Sequence, residues 1–576
     1  MKRTRPTLII IMLLVPVLLT IAQQHDPKNY FRSPVGYPVS LAGSFGEIRK
    51  NHFHSGIDIR TDGVQGKPVY AVADGYVSRV NVSPGGFGKA LYITHPNGYT
   101  SLYAHLRNYA GAIAVWVKAG QYKRESFAMD VPVPEGTLKV KKGDLVAWSG
   151  NSGASGGPHL HFEIRDTKTQ EIIDPLDFGF MKGDGIPPGI TCVKIFPWGD
   201  NSMVNFSDKA VLIPVTGSGV NFRLKMTDTL KVSGNIIFGI ETNDQAQGAL
   251  KTGIHDIVLT VDGIRVFSQK IDRFAFAETR YVNSMLDYPA YIHNKRKIQR
   301  SYVAPNNKLS VYTDVKNRGI VNFTDSKVHE IRYVAKDAFG NPATLTFYVR
   351  SHPPPNLGGK PKPEDHPATQ IFTWKNNNTF ESPNMRFEVP AEAVYDDFPF
   401  EYSLTPPVPG SYSGVHHLQN QYTPLHTWCT LSIKTVNLPK NLESKVVIVT
   451  VSQGNKFISK GGTWENGWAT VKIRDFGNYM VTIDTEPPKI TAINIFEKKK
   501  VKKQSSILVK ISDNLSGIKT YRGTLNGKWI LMDYDEKNRL LTYTFDGHMK
   551  PGKNNFVLIV TDAVGNFSRY EADLIR

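Results

Sequence analysis

A mainly β chain built of several modules is the fold class this sequence predicts, and three observations predict it. At 576 residues the chain has room for several cores, because domains usually hold about 100 to 200 residues. Beyond about residue 183, alternating apolar and β-branched stretches are punctuated by Gly, Pro, Asn and Asp, which reads as β-sandwich modules. An internal repeat gives that reading precision: IPPGITCVKIF (186–196) aligns with EPPKITAINIF (486–496), and IRYVAKDAFGN (331–341) resembles VLIVTDAVGN (557–566). The paired segments are expected to be the first and last strands of an immunoglobulin-like fold.

The N-terminus is read first as an address. Lys2, Arg3 and Arg5 precede an apolar run of about residues 7–22, followed by small residues suited to cleavage, so residues 1–22 are expected to be a secretory signal peptide. The run is short for a membrane span, although an uncleaved anchor is the alternative. No Cys follows it to support a lipoprotein, and after signal removal no transmembrane helix is expected. The implied location is across the inner membrane, periplasmic or associated with the cell envelope. A net charge of +18 suits an anionic wall polymer, and equally a membrane surface or nucleic acid. No nucleic-acid motif is present, and a secretory start argues against that partner.

Next come the chemical motifs. In NHFHSGIDIR (51–60), His54 stands four residues before Asp58, a nitrogen and oxygen donor set normal for zinc. His52 lies two residues away and could compete, and the bland alternative is a hydrogen-bonded pair steadying a turn. In GYTSLYAHL (98–106), His105 ends an apolar run that reads as a buried strand, where a satisfied core histidine is the plain reading. In NSGASGGPHLHFEI (151–164), Gly and Pro end a loop abruptly before His159 and His161. Side chains at i and i+2 of a strand share a face, so both imidazoles and Glu163 would point into one cavity. Glu163 either orients a ring nitrogen or is a solvated or structural carboxylate.

Together these segments resemble the lysostaphin-type zinc metallopeptidases of the M23 family, the LytM-like peptidoglycan endopeptidases. FHSGIDI (53–59) is similar to the family's His-x3-Asp motif, SLYAHL (101–106) to its second motif and GPHLHFEI (157–164) to its His-x-His motif; the strands and turns of KPVYAVADGYVSRV (67–80) and KVKKGDLVAWSGNSG (139–153) also fit. The resemblance covers about residues 35–180 and implies a LytM-like β-sheet peptidase domain, placed here at residues 23–182. It implies zinc held by His54, Asp58 and His161, with His105 and His159 as the catalytic pair and peptidoglycan as substrate. His52 and His95, the latter in the turn THPNG, fall outside that site as surface or loop residues. Family members that only regulate other enzymes typically lack some ligands, whereas all five matching positions are filled here. The competing reading is a non-catalytic wall-binding scaffold, or an activator of another cell-wall hydrolase.

One departure from the family is the insert 108–138, which carries Trp116, Tyr122, Lys123, Arg124 and Phe127. It is expected to form a groove wall or lid, or else a surface elaboration or oligomer contact.

The remaining chain is read as modules. Residues 183–350 form an immunoglobulin-like sandwich with a large insertion around Tyr281 to Tyr312, because the first repeat copy is about twice as long as the second. Residues 351–370 form a Pro-rich linker, 371–484 a β-rich domain without a defensible chemical constellation, and 485–576 a second immunoglobulin-like sandwich. His416 and His417 would point to opposite faces of a strand and read as surface residues. Cys192 aligns with Ala492 and is expected to be small and buried; Cys192 and Cys429, in different modules, read as free thiols. The sandwiches are expected to position the enzyme at the wall or bind a protein partner.

Overall fold

The computed structural model describes residues 30–226, 229–246, 250–353, 370–452 and 456–576. The expected signal peptide and residues 354–369 of the expected linker lie outside the described residues. Among those described, no helix is long and apolar enough to cross a membrane. The fold is mainly β, as the alternating pattern predicts.

The N-terminal region, expected to be a peptidase domain, is organised by one antiparallel sheet. Its principal strands are β1 (Leu41–Gly43), β2 (Ile57–Arg60), β3 (Gly75–Val82), β4 (Lys89–Thr94), β5 (Tyr99–Ala104), β6 (Met129–Pro132) and β7 (His159–Asp166). They lie side by side in the order β1-β2-β7-β5-β4-β3-β6. Leu160, Phe162 and Ile164 alternate with His159, His161 and Glu163 along β7, so the apolar set enters the core with Ile57, Ile59 and Tyr103. The period of two thereby hands the opposite face to the polar set.

Within the insert, Gly111–Arg124 forms a helix, α1, and β6 then joins the sheet beside β3. Ile113 and Val117 of α1 bury into the peptidase core. Residues Tyr521, Leu531 and Tyr534, from the far end of the chain, pack against that same core.

The module expected to be the first sandwich begins with the strand Gly189–Pro197, and Cys192 upon it is fully buried. The last strand differs from expectation. IRYVAKDAFGN and VLIVTDAVGN are penultimate strands, Val328–Lys336 and Lys553–Asp562, each followed by a further strand, Pro342–Ser351 and Phe567–Ile575. The shared DAxGN segment is the hairpin turn between them: Asp337 accepts from the Phe339 and Asn341 amides, and Asp562 from those of Val564 and Asn566. Residues 276–294 form three short helices whose Tyr281, Val282 and Met285 pack with Phe45 and Phe53 of the peptidase and with Tyr395.

In 371–484, two five-stranded sheets enclose a core that includes Cys429. His416 does not lie on the surface. It is fully buried on the strand Val415–Leu418 and meets the Tyr402 hydroxyl at 3.0 Å, whereas His417 on the opposite face is half-buried. Both cysteines are free thiols.

Candidate metal centre and the histidines around it

Three adjacent strands assemble the site. β2 and β7 pair with Asp58 opposite His161, and β7 and β5 pair with His161 opposite Ala104, which places His105 just past the end of β5. His54 reaches the same point because the chain between it and Asp58 runs tight against β7. A Cβ on Gly56 would sit 2.3 Å from the Phe162 carbonyl oxygen, so only glycine permits that approach.

His54, Asp58 and His161 are all buried, and their ligand atoms converge. His54 Nε2 lies 3.0 Å from Asp58 Oδ1 and 3.0 Å from His161 Nδ1, and His161 Nδ1 lies 2.9 Å from Asp58 Oδ1. A tetrahedral ion with bonds of about 2.0–2.1 Å would separate its ligands by roughly 3.3 Å, so small outward shifts accommodate one. The outer contacts fix which atoms face inward. His54 Nδ1 donates to the Ser44 carbonyl at 2.7 Å, leaving Nε2 free to ligate. His161 Nε2 meets Glu163 Oε1 at 2.9 Å, turning Nδ1 to the centre, and Glu163 is held by Arg165 at 2.6 Å. Glu163 therefore orients a ring nitrogen, the first of its two readings. Asp58 Oδ2 accepts from Arg49 at 2.7 Å, leaving Oδ1 for the centre.

Electrostatics agree with a cation at this point. Burial pushes His54 down to about 4, so it stays neutral as a ligand must. Burial would raise Asp58, but its three histidine neighbours hold it well below the usual carboxylate range. Burial alone would lower His161, yet the Asp58 and Glu163 carboxylates push it up to about 9. The cluster thus demands positive charge, and a proton on His161 or a metal ion satisfies the same atoms. The trio can hold a metal.

His105 and His159 stand beside it. Their rings are 4.8 Å apart between centroids, and His159 Nε2 lies 3.3 Å from Asp58 Oδ1. His105 Nδ1 donates to the Ser152 carbonyl at 2.9 Å, and His159 Nδ1 to the Gly157 carbonyl at 2.8 Å, with Ser155 Oγ 3.2 Å away. A carbonyl can only accept, so both rings carry the proton on Nδ1 and present a bare Nε2 when neutral. Burial, aided by the neighbouring histidines, pushes His105 down to about 3.

The other candidates lie apart. His52 is exposed and turned to the Lys50 carbonyl. His95 is a loop residue by backbone, but its side chain is buried, with Nδ1 on the Asp74 carbonyl and Nε2 on Ser101 Oγ, each at 2.8 Å. Sequence reasoning missed Arg49 and Arg165, and the carbonyls of Ser44, Ser152 and Gly157. Only Arg165 left a signal, a cation two residues after Glu163 on the same strand face.

The buried trio of His54, Asp58 and His161 could hold a metal, with two further imidazoles alongside. Residues 52–122 match the model of peptidase family M23, and the chain carries a domain of that family. Residues 369–484 match the model of a Zu5-like domain. An uncharacterized metalloprotease of Haemophilus influenzae is 33% identical over 173 residues, 29% of this chain and 30% of that protein. The DD-carboxypeptidase/endopeptidase Mpg of Neisseria meningitidis is 36% identical over 142 residues, 24% of this chain and 26% of that one. The crystal structure of a zinc-containing peptidase from Vibrio cholerae is 28% identical, with 27% of this chain and 41% of that chain covered and a TM-score of 0.20. This chain therefore spans less than a third of the length of these two curated relatives.

Proposed function

We propose that the protein is a secreted zinc endopeptidase of the cell envelope that hydrolyses peptide cross-links or stem peptides of peptidoglycan. The observation that carries this reading is the convergence of His54 Nε2, Asp58 Oδ1 and His161 Nδ1 within 3.0 Å of one another beside two further imidazoles. The DD-carboxypeptidase/endopeptidase activity in the name of the Neisseria relative supports the substrate class. Export is supported by the basic and apolar start of the chain.

His54, Asp58 and His161 would hold the metal. Bound there, zinc supplies Lewis acidity that makes water a nucleophile near neutral pH and polarises a peptide carbonyl. The remaining work falls to His105 and His159. With Nδ1–H committed to backbone carbonyls, each offers Nε2 toward the centre; one accepts the proton of the attacking water and the other hydrogen-bonds the developing oxyanion or protonates the leaving amine. The filled ligand set weighs against a scaffold that only binds wall peptides. The sandwiches would hold the enzyme at the wall or at a partner.

Metal analysis of the purified protein together with muropeptide profiling after incubation with peptidoglycan tests the reading. Bound zinc and new peptide ends that disappear in His161→Ala are expected. Intact cross-links despite bound zinc would overturn the endopeptidase.

A further inference from the structure

The terminal sandwich does not hang free of the peptidase. Its strand Asp533–Asp535 and the following turn lie against the sheet and the inserted helix α1. Tyr122 of α1 stacks on His548 at 4.8 Å with ring planes 2° apart, meets Trp529 edge-on at 5.2 Å, and donates its hydroxyl to Asp546. Lys118 reaches the same Asp546 at 3.2 Å, and Lys89 on β4 pairs with Asp533 at 2.7 Å. Leu531 and Tyr534 add apolar contact beneath these pairs. The inserted helix therefore docks a module that lies 409 to 424 residues further along the chain.

The docked turn brings Lys537 to the loop 151–157. Its ammonium donates to the Asn151 carbonyl, to Asn151 Oδ1 at 2.9 Å and to the Ser155 carbonyl at 3.0 Å. An ammonium has three protons, and all are engaged by the loop. That loop is the one whose carbonyls fix both flanking imidazoles: Ser152 receives His105 and Gly157 receives His159. Ser155 links the two halves, since its hydroxyl donates to the Gly157 carbonyl at 2.6 Å and lies 3.2 Å from His159 Nδ1. The other side of the loop is pressed on the turn 86–88, where a Cβ on Gly153 would meet the Gly88 amide nitrogen at 2.3 Å. One side chain of the terminal module therefore grips the segment at two points that bracket Ser152 and precede Gly157.

We propose that Lys537 is a positioning residue for His105 and His159, which makes the terminal sandwich a working part of the peptidase site. The proposal rests on the peptidase reading above for its effect on turnover, while its geometric content stands without it. Lys537 acts through the loop: it holds the acceptor carbonyls where both rings keep Nδ1 protonated and Nε2 directed at the metal centre. Its loss leaves the hydrogen bonds that orient the metal trio in place, because their partners Arg49, Ser44 and Glu163 lie outside residues 151–157.

The test uses the full chain with Lys537→Met, which keeps the aliphatic stem, and Lys537→Arg, which restores the charge. On soluble cross-linked muropeptides, Lys537→Met is expected to lower kcat at least tenfold with KM within twofold, at unchanged zinc content and melting temperature. Lys537→Arg should recover most of that loss, which a merely structural contact would not require. A second measurement is independent of turnover: histidine-selective 15N labelling should show the His105 and His159 ring signals shifted or broadened in Lys537→Met and restored in Lys537→Arg. Ring signals unchanged from wild type overturn the proposal, and so does a shifted ring with kcat within twofold. A wild-type protein that leaves muropeptides intact overturns the peptidase reading instead, and the ring signals alone then decide whether Lys537 orders the loop.

Discussion

His105 holds φ at 57°, a left-handed backbone that costs a non-glycine residue of order 1 kcal/mol or more and that is kept only where the surroundings impose it. Here the surroundings are the Phe87 carbonyl on its amide and the Ser152 carbonyl on its ring. At this scale His159→Ala should retain zinc and lose turnover by about 100-fold or more, the usual effect of removing a positioned acid or base; metal analysis and muropeptide kinetics on one sample check it. Glu163→Gln keeps the shape but removes the charge facing His161, and should weaken zinc affinity about 10–100-fold, read by chelator competition. The spacing of His54, Asp58, His159 and His161 was legible because side-chain donors have a sequence signature. The carbonyls of Ser44, Ser152 and Gly157 have none, since every residue carries one. His416 went astray for a related reason: a histidine in a polar stretch looks exposed until its partner, here Tyr402, appears from another strand.

Among the elements, β2, β7 and β5 carry the site, and their closeness depends on Gly56. Gly56→Ala drives a methyl into the Phe162 carbonyl, and a loss of about 3 kcal/mol or more is expected by denaturant unfolding, with metal binding lost alongside. The repeated hairpin turn gives a second case. Asp562 is fully buried and accepts from two backbone amides and from Asn566 Nδ2, so Asp562→Ala should destabilise the terminal sandwich by about 1–3 kcal/mol through unsatisfied donors. The repeat was visible in sequence, and so was the first strand of each copy. Its position as penultimate strand and turn was not, because an alternating strand looks the same wherever it falls in the order of a sheet.

The whole molecule shows where sequence reasoning stops. Separate modules could be read from composition and repeats; their mutual packing could not, because it depends on contacts spanning hundreds of residues. Asp174 illustrates a shorter contact between neighbouring modules: it is buried, its amide donates to the Asp272 carbonyl, and its carboxylate caps a short helix through the Leu176 amide. Burial pushes it up to about 7 from an ordinary 3.8. The folded state therefore binds more protons than the unfolded chain between those values, and this contribution to stability is complete below about 4 and lost as pH rises through 7. Asp174→Asn, which can still accept from Leu176, should raise the melting temperature over wild type more at pH 8 than at pH 5, measured by calorimetry at both.

The grip of Lys537 on Asn151 also sets an order in time. These residues are separated by 386 positions, so on a chain made from its N-terminus the peptidase sheet can form long before the turn that completes its loop exists. Under the proposed function, a wall hydrolase would thus stay unfinished until the module that carries Lys537 has emerged and docked.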